Sequence, residues 1–391
     1  MKRNIPRRGD VEILNIVLNG NRASGLIALD IQSGEIFGIQ AKSILLAGSG
    51  FQSAWNGDGI AMGTAASLAL RSGIALADLE FASMHPLTVA ETSLSLPLDV
   101  LGAGGIVLGM DGQPLSTEEG PDALAHSIIS AGGASLDLTG IPASDSTWFA
   151  GVANSLLSRC GIDCTKESIP LKPMVGPTIG GIPIDASGNV INGAWDTTLP
   201  GLFAAGDAAC SGLHGAALNS GDHLLGALAS GTTAGTSAAS HANASKHSAS
   251  SVISVALSEA HHSHDSVLTE AGSDGVSPGA IQSSLASTMR THMGTARDAT
   301  GLSDAAAKIS ELQETKLSIS DTSPVMNTEM VSMIRTQGLL GVASAAVSAA
   351  LAREESRGTH IRVDHPDTDT KQAKHSLSSN DGTVVNLALR S

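Results

Sequence analysis

The chain has 391 residues and 42% hydrophobic content, enough for two domains or one large core. Aromatics are scarce, with no Tyr, five Phe and three Trp, so any core is packed from Ala, Val, Leu, Ile and Met. A formal net charge of −15 argues against nucleic acid and anionic membrane surfaces as partners, since both require clustered Lys and Arg.

The N-terminus, MKRNIPRRGD, is basic but has no apolar run behind it and does not read as a signal peptide. Val11 to Leu18 and Ala23 to Asp30 predict two strands around the turn NGN, with a second turn at Ser33 to Glu35. Ala41 to Ala47 predicts a short buried strand running into the glycine turn GSG. Ile60 to Ala77, with Arg71 its only charge, predicts one buried helix. Glu91 to Gly120 is irregular and glycine-rich. Pro121 to Ser130 predicts a helix with Pro in its first turn. Gly180 to Ile191 predicts a hairpin turning at ASGN, and Leu202 to Ala205 another buried strand. From Leu228 to 275 the composition shifts to Ser, Ala, Gly, Thr and His, which predicts a flexible insert or frayed helix. Ile281 to Leu312 and Val325 to Glu355 predict a C-terminal helical bundle, followed by a charged segment, Arg353 to Asp369. No uninterrupted run approaches the ~20 apolar residues of a membrane span.

Cys160, Cys164 and Cys210 make an odd count without a disulfide framework, which predicts a reducing, cytoplasmic home. No metal site is expected: Cys160 and Cys164 lack a second pair, and His261, His262 and His264 lack an ordered ligand set around them.

Four short motifs can carry chemistry. GLFAAGD, Gly201 to Asp207, is an apolar strand ending in Gly-Asp. Gly206 allows close backbone approach and Asp207 can accept hydrogen bonds from sugar-alcohol hydroxyls, although Gly-Asp turns are common. Ala47, Gly48 and Gly50 form a glycine turn after a strand, but the third glycine and following acid of a dinucleotide fingerprint are missing. Asp58, in NGDGIAM, either binds a cofactor hydroxyl or caps the helix that follows. His85, in LEFASMHP, is either a structural histidine or a catalyst.

In order and spacing these segments resemble the flavoprotein subunit of succinate dehydrogenase and fumarate reductase, related to L-aspartate oxidase. AKSILLAGSG, GDGIAM and LEFASMHP are similar to the family's flavin-side segments. GIDCTKESIPLKPMVGPTIGGIPI and GLFAAGDAACSGLHGA are similar to its second flavin-binding part. NTEMVSMIRTQGLL and AREESRGTHIRVDHPDTD are similar to its C-terminal helical domain. The resemblance runs from about Val11 to Asp369. It implies a mixed α/β (α+β) fold: a partial FAD-binding domain with an inserted capping domain, then a helical bundle. The implied division is 1–83 for the first FAD-domain segment, 84–176 for the capping domain and 177–240 for the second FAD-domain segment. A low-complexity linker, 241–275, and the helical domain and tail, 276–391, complete it. FAD is the implied cofactor, near Ala47, Gly48, Gly50, Asp58, Gly206, Asp207, His223 and Leu224. An iron–sulfur subunit is the implied partner, placing the chain peripheral to the membrane.

Two departures stand against the family pattern. The resemblance begins where the family is already under way, which leaves three expectations: another polypeptide supplies the N-terminal Rossmann half, the sequence is a fragment, or the protein no longer binds FAD in the usual way. Moreover, the cations expected to grip the substrate's carboxylates are replaced. Pro97, Leu98 and Leu101 stand where the family has Thr, Glu and Arg. Pro121 and His126 take two arginine positions, Gly176 a histidine position and Leu218 another arginine position. Only His85 matches, with His126 as a substitute proton carrier. The resemblance therefore implies succinate–fumarate hydride transfer through FAD or an inactive subunit that keeps the fold for docking partners, with a flavoenzyme acting on a smaller or neutral substrate, suited by Leu98, Leu101 and Leu218, as a third reading.

Overall fold

The computed structural model describes residues 5–141, 149–193, 197–219, 221–269 and 274–388. The chain opens on an antiparallel meander, β1 (Val11–Leu18), β2 (Ala23–Asp30) and β3 (Ile36–Gln40). Its turns form where Asn19, Gly20 and Asn21 break the apolar alternation, and the Asp30 carboxylate accepts from the amides of Gln32 and Ser33 in the second. The strand β4 (Ile44–Leu46) leads into the glycine turn and a four-residue helix, α1 (Ser53–Asn56).

The expected long helix from Ile60 is shorter. It is α2 (Thr64–Arg71), preceded by Gly63 and ended before Gly73, both with positive φ, and the chain then extends into β5 (Leu76–Ala77) and β6 (Ala82–His85). Composition alone does not register this, because the apolar content is continuous across both breaks.

The stretch expected to be irregular contains α3 (Asp99–Gly102) and β7 (Ile106–Gly109). The next helix, α4 (Pro121–Ser130), occupies the predicted span. With β8 (Ala134–Asp137), α5 (Phe149–Cys160) and β9 (Ile169–Leu171) these build a unit with its own core, in which Leu96, Val100, Leu124, Leu136 and Leu156 are buried together. β10 (Met174–Thr178) then returns antiparallel to β6 and pairs Met174 with His85. After β11 (Ile182–Pro183) and β12 (Asn189–Ile191), β13 (Thr198–Ala204) runs parallel to β4, aligning Leu202 with Ile44 and Ala204 with Leu46. The short β14 (Ala209–Cys210) pairs with β11.

The predicted flexible segment is helical over most of its length, as α6 (Asp222–Ala244) and α7 (Ser250–Thr269); residues 270–273 of the expected linker lie outside the described residues. α7 packs on the meander, where Ile253 and Ala260 join Val17, Ile27 and Leu29. Two strand glycines make room for it: a Cβ on Gly25 or Gly38 would come 2.5 or 2.3 Å from Ile253.

The predicted helix 281–312 is two helices, α8 (Pro278–His292) and α9 (Ala299–Glu314), which pack with α10 (Thr328–Ala352) against the main core. α10 is long and apolar enough to cross a membrane by length and composition, yet it is largely buried within this fold. A side chain at Gly338 would come 2.2 Å from Ser67 Oγ, so glycine permits the close crossing of α10 over α2. Finally β15 (Lys374–Ser378) and β16 (Val384–Ala388) add a hairpin to β5, which carries Ser376 to the buried Glu80.

Candidate functional site

Two neighbouring parallel strands, β4 and β13, end side by side, and their carboxyl-end loops carry Ala47–Gly50 and Ala205–Asp207. The carboxyl edge of parallel strands is where α/β folds hold ligands. The Ala205 amide donates to Leu46 O at 3.0 Å, locking the two loops together. Gly206 sits at φ 66, and its amide donates to Ser230 Oγ on α6 at 3.0 Å. Ala47, Gly48 and Ser49 are exposed, whereas Gly50 is buried. A Cβ on Gly50 would come 2.3 Å from Thr178 Oγ1, so glycine lets the turn press against β10.

Asp207, Thr178, His214, His223 and Ser230 surround a small recess of about 30 Å³ beside this turn. Hydroxyls, a carboxylate and imidazoles are a donor and acceptor set suited to a polyhydroxylated chain. Nearby, Gln52 Oε1 is buried with no hydrogen-bond partner, an acceptor left open against the glycine turn. The exposed Ala47–Ser49 edge presents backbone without bulky side chains. The donor and acceptor chemistry suits the hydroxyls of a ribityl chain, although the recess itself has room for only about two water molecules.

Asp58 lies elsewhere. Its Oδ1 accepts from Ser53 Oγ at 2.5 Å and the Ile60 amide at 3.0 Å, closing the loop between α1 and α2. It does not cap α2, whose N-cap is Gly63. It borders a different cavity of about 650 Å³, together with Trp55, Lys172 and Arg290.

A second cavity, of about 260 Å³, lies between the flavin-side loops and the α3–α4 unit. His85, Leu98, Pro121, Gly176, Leu218, His223 and Leu224 all line it. Six of the positions where the family pattern expects substrate-binding side chains thus meet around one space: His85, Pro97, Leu98, Pro121, Gly176 and Leu218. Leu101 does not, because it packs into the neighbouring apolar core. His126 is also not brought in. It stays on α4 with Nε2 3.5 Å from Ser130 Oγ, and it borders neither this cavity nor the small recess.

His85 is half-buried at the end of β6, where burial pushes its pKa down and keeps the ring neutral. Its Nδ1 is buried with no hydrogen-bond partner. Sequence reasoning passed over Asp122. At the start of α4, its carboxylate accepts from the Met84 amide at 2.5 Å and from Ser83 Oγ at 3.4 Å, fixing the strand that ends in His85. Burial raises its pKa against those two bonds. The signal was available in Gly-Pro-Asp, an acid in a first helical turn.

Behind Met84, Pro121, Leu218 and Asn219 lies another cavity of about 250 Å³ bordered by Arg297. That guanidinium donates to Gly294 O, Glu80 O and His360 Nδ1, and burial lowers its pKa to about 10.

Residues 2–224 match the FAD binding domain family, and residues 282–390 match the family described as fumarate reductase flavoprotein C-term. The chain is 28% identical to the fumarate reductase flavoprotein subunit of Haemophilus influenzae, over 94% of this chain and 66% of the relative. It is 30% identical to the corresponding subunit of Mycobacterium tuberculosis, over 94% and 69%. The chain therefore spans about two thirds of the length of these relatives. A solved quinol fumarate reductase structure from E. coli superposes with a TM-score of 0.88 at 25% identity, covering 97% of this chain and 71% of that one. FAD is the cofactor of the matched domain. The chain belongs to the flavoprotein-subunit family of fumarate reductase and succinate dehydrogenase.

Proposed function

We propose that this chain is an FAD-holding flavoprotein subunit of the succinate dehydrogenase and fumarate reductase type that no longer exchanges succinate and fumarate. One observation carries the reading: among the described residues, no Lys or Arg lines the cavity at the His85 end of β6. A dicarboxylate dianion taken out of water needs paired cations, and without them its desolvation is uncompensated at a cost of several kcal/mol per charge. Neutral His85 cannot neutralise two carboxylates.

When bound, FAD supplies a reversible acceptor for a hydride. This chain's part is to border the cofactor with the Ala47–Gly50 turn, to meet its hydroxyls with Asp207 and Thr178, and to flank its ring with His223 and Leu224. The glycine turn leads into α1, which has only four residues and offers no long helix N-terminus for a pyrophosphate. In this reading that contact comes from an N-terminal FAD-binding half, whether on this polypeptide or another. An iron–sulfur subunit completes the complex, peripheral to the membrane.

The test is a visible spectrum of the chain co-purified with its partner subunits and FAD. A flavin band that bleaches with dithionite but not with succinate is expected. Bleaching by succinate would overturn the loss of dicarboxylate turnover. A colourless assembled complex would overturn the flavin site and leave a structural subunit.

A further inference from the structure

We infer that the 260 Å³ cavity bordered by His85 and Leu218 binds a small uncharged ligand, of the amide or enone class, and rejects the dicarboxylates of its relatives. The inference rests on the flavin-subunit reading and names the ligand class of the same site.

The wall chemistry sets the sign. Among the described residues, the carboxylate lining the cavity is the exposed Asp99. Leu98, Pro121 and Leu218 give it apolar sides, and Leu218 is 6% exposed. Negative charge on the rim and apolar sides oppose a dianion twice, through repulsion and through lost hydration.

Arg297 lies beyond the wall made by Pro121 and Leu218. Its Nε and Nη1 donate to Gly294 O, Glu80 O and His360, and the guanidinium borders the neighbouring cavity rather than the 260 Å³ one. What the space does offer is neutral hydrogen bonding. His85 and Asn219 both line it, and Asn219 is exposed. A carbonyl or amide group satisfies such a pair without any counter-charge, while the apolar remainder packs on Leu218 and Leu98. Gly176 lines the cavity beside His85, and a Cβ there would make only ordinary contacts with Ser83 O and His85 Cβ, so no backbone clash requires glycine.

The experiment titrates the complex of this chain co-purified with its partner subunits and FAD, by calorimetry with fumaramide and with fumarate, which share a carbon skeleton and differ in charge. Fumaramide is expected to saturate, with fumarate weaker by roughly 100-fold, the scale of an unpaired buried charge. Leu218→Trp, which fills the cavity, should abolish fumaramide binding. Pro121→Arg combined with Leu218→Arg should raise fumarate affinity by at least about tenfold. Equal or tighter fumarate binding, fumaramide binding that survives Leu218→Trp while circular dichroism shows a folded variant, or no binding of fumaramide at its solubility limit would each overturn the inference. Flavin absorbance of the same samples separates the two readings. A flavin band without fumaramide binding removes only the ligand class, whereas a missing band removes the flavin site.

Discussion

Replacing Arg353 by Met should cost the fold about 4 kcal/mol, within the 3–5 kcal/mol typical of breaking a buried ion pair from one side. Arg353 is 4% exposed and Glu80 fully buried, with Nε 2.6 Å from Oε1. The guanidinium also donates to Glu355 Oε1 at 3.1 Å, to Gln372 O at 2.9 Å and to Lys374 O at 2.9 Å. After the substitution Glu355 keeps Arg357, which holds both its oxygens at 2.8 and 3.0 Å. Glu80 keeps only Ser376 Oγ at 2.7 Å among its side-chain partners. The cost is therefore concentrated on one stranded carboxylate. A loss of this size is a large share of the ~5–15 kcal/mol that holds a domain folded. Urea unfolding followed by far-UV circular dichroism reads it. The companion double variant, Arg353→Met with Glu80→Met, should recover at least about 2 kcal/mol, because it removes the stranded charge. A single-variant loss below about 1 kcal/mol, or a double variant as unstable as the sum of both singles, refutes the reasoning.

Other outcomes follow from the same geometry. His360 is fully buried, and burial first, then the Arg297 charge, lowers its pKa to about 2, so the native state holds it neutral. Because the unfolded chain protonates it near pH 6.5, its contribution is present above that pH and lost as pH falls toward about 2, at up to about 1.4 kcal/mol per pH unit. Urea midpoints between pH 7 and 4.5 should therefore fall more steeply for the native chain than for His360→Gln. Gly180→Ala places a Cβ 2.2 Å from Asp78 O and 2.6 Å from Leu79 N, and should lower stability by about 2 kcal/mol in the same urea assay. Asp207→Ala should weaken FAD binding about tenfold, measured by flavin fluorescence quenching, with the thermal midpoint of the FAD-free chain unchanged.

Elements with local punctuation were legible from sequence. The spans Val11–Leu18, Ala23–Asp30 and Pro121–Ser130 are those of β1, β2 and α4, because Asn-Gly turns and an N1 proline act within a few residues. α7 was not legible, since its stabilising surface is made elsewhere: Ser- and His-rich sequence folds there because Gly25 and Gly38 leave a trough for Ile253. At the site, strand ends marked Gly206 and Asp207. The meeting of His85, Gly176 and Leu218 depends on β10 returning beside β6, which no local pattern encodes. It came only through family resemblance. Asp58 and His126 each occupy the expected place in the chain, with side chains that border neither the cavity nor the recess.

The distribution of buried arginines explains how the frame and the substrate clamp can part company. Arg297, Arg353 and Arg362 are 3%, 4% and 1% exposed, yet each is matched by acceptors of this same chain: Glu80 O, the Glu80 carboxylate, and the two oxygens of Asp364 at 2.7 Å. These cations are satisfied whether or not a ligand is present. An arginine facing the His85 cavity would have a different balance, because its partner arrives only with a dianion. Without that ligand it is an unpaired, partly desolvated charge that destabilises the fold by several kcal/mol. Once the dianion is no longer bound, Leu218 and Pro121 are the more stable choice at such positions, and the frame arginines are not. Leu218→Arg alone should accordingly lower the urea midpoint by the equivalent of about 2–3 kcal/mol and regain part of it in the presence of fumarate only when Pro121→Arg is added. Stability unchanged by Leu218→Arg would mean that the cavity is wetter than its apolar lining implies and that electrostatics does not select its occupant.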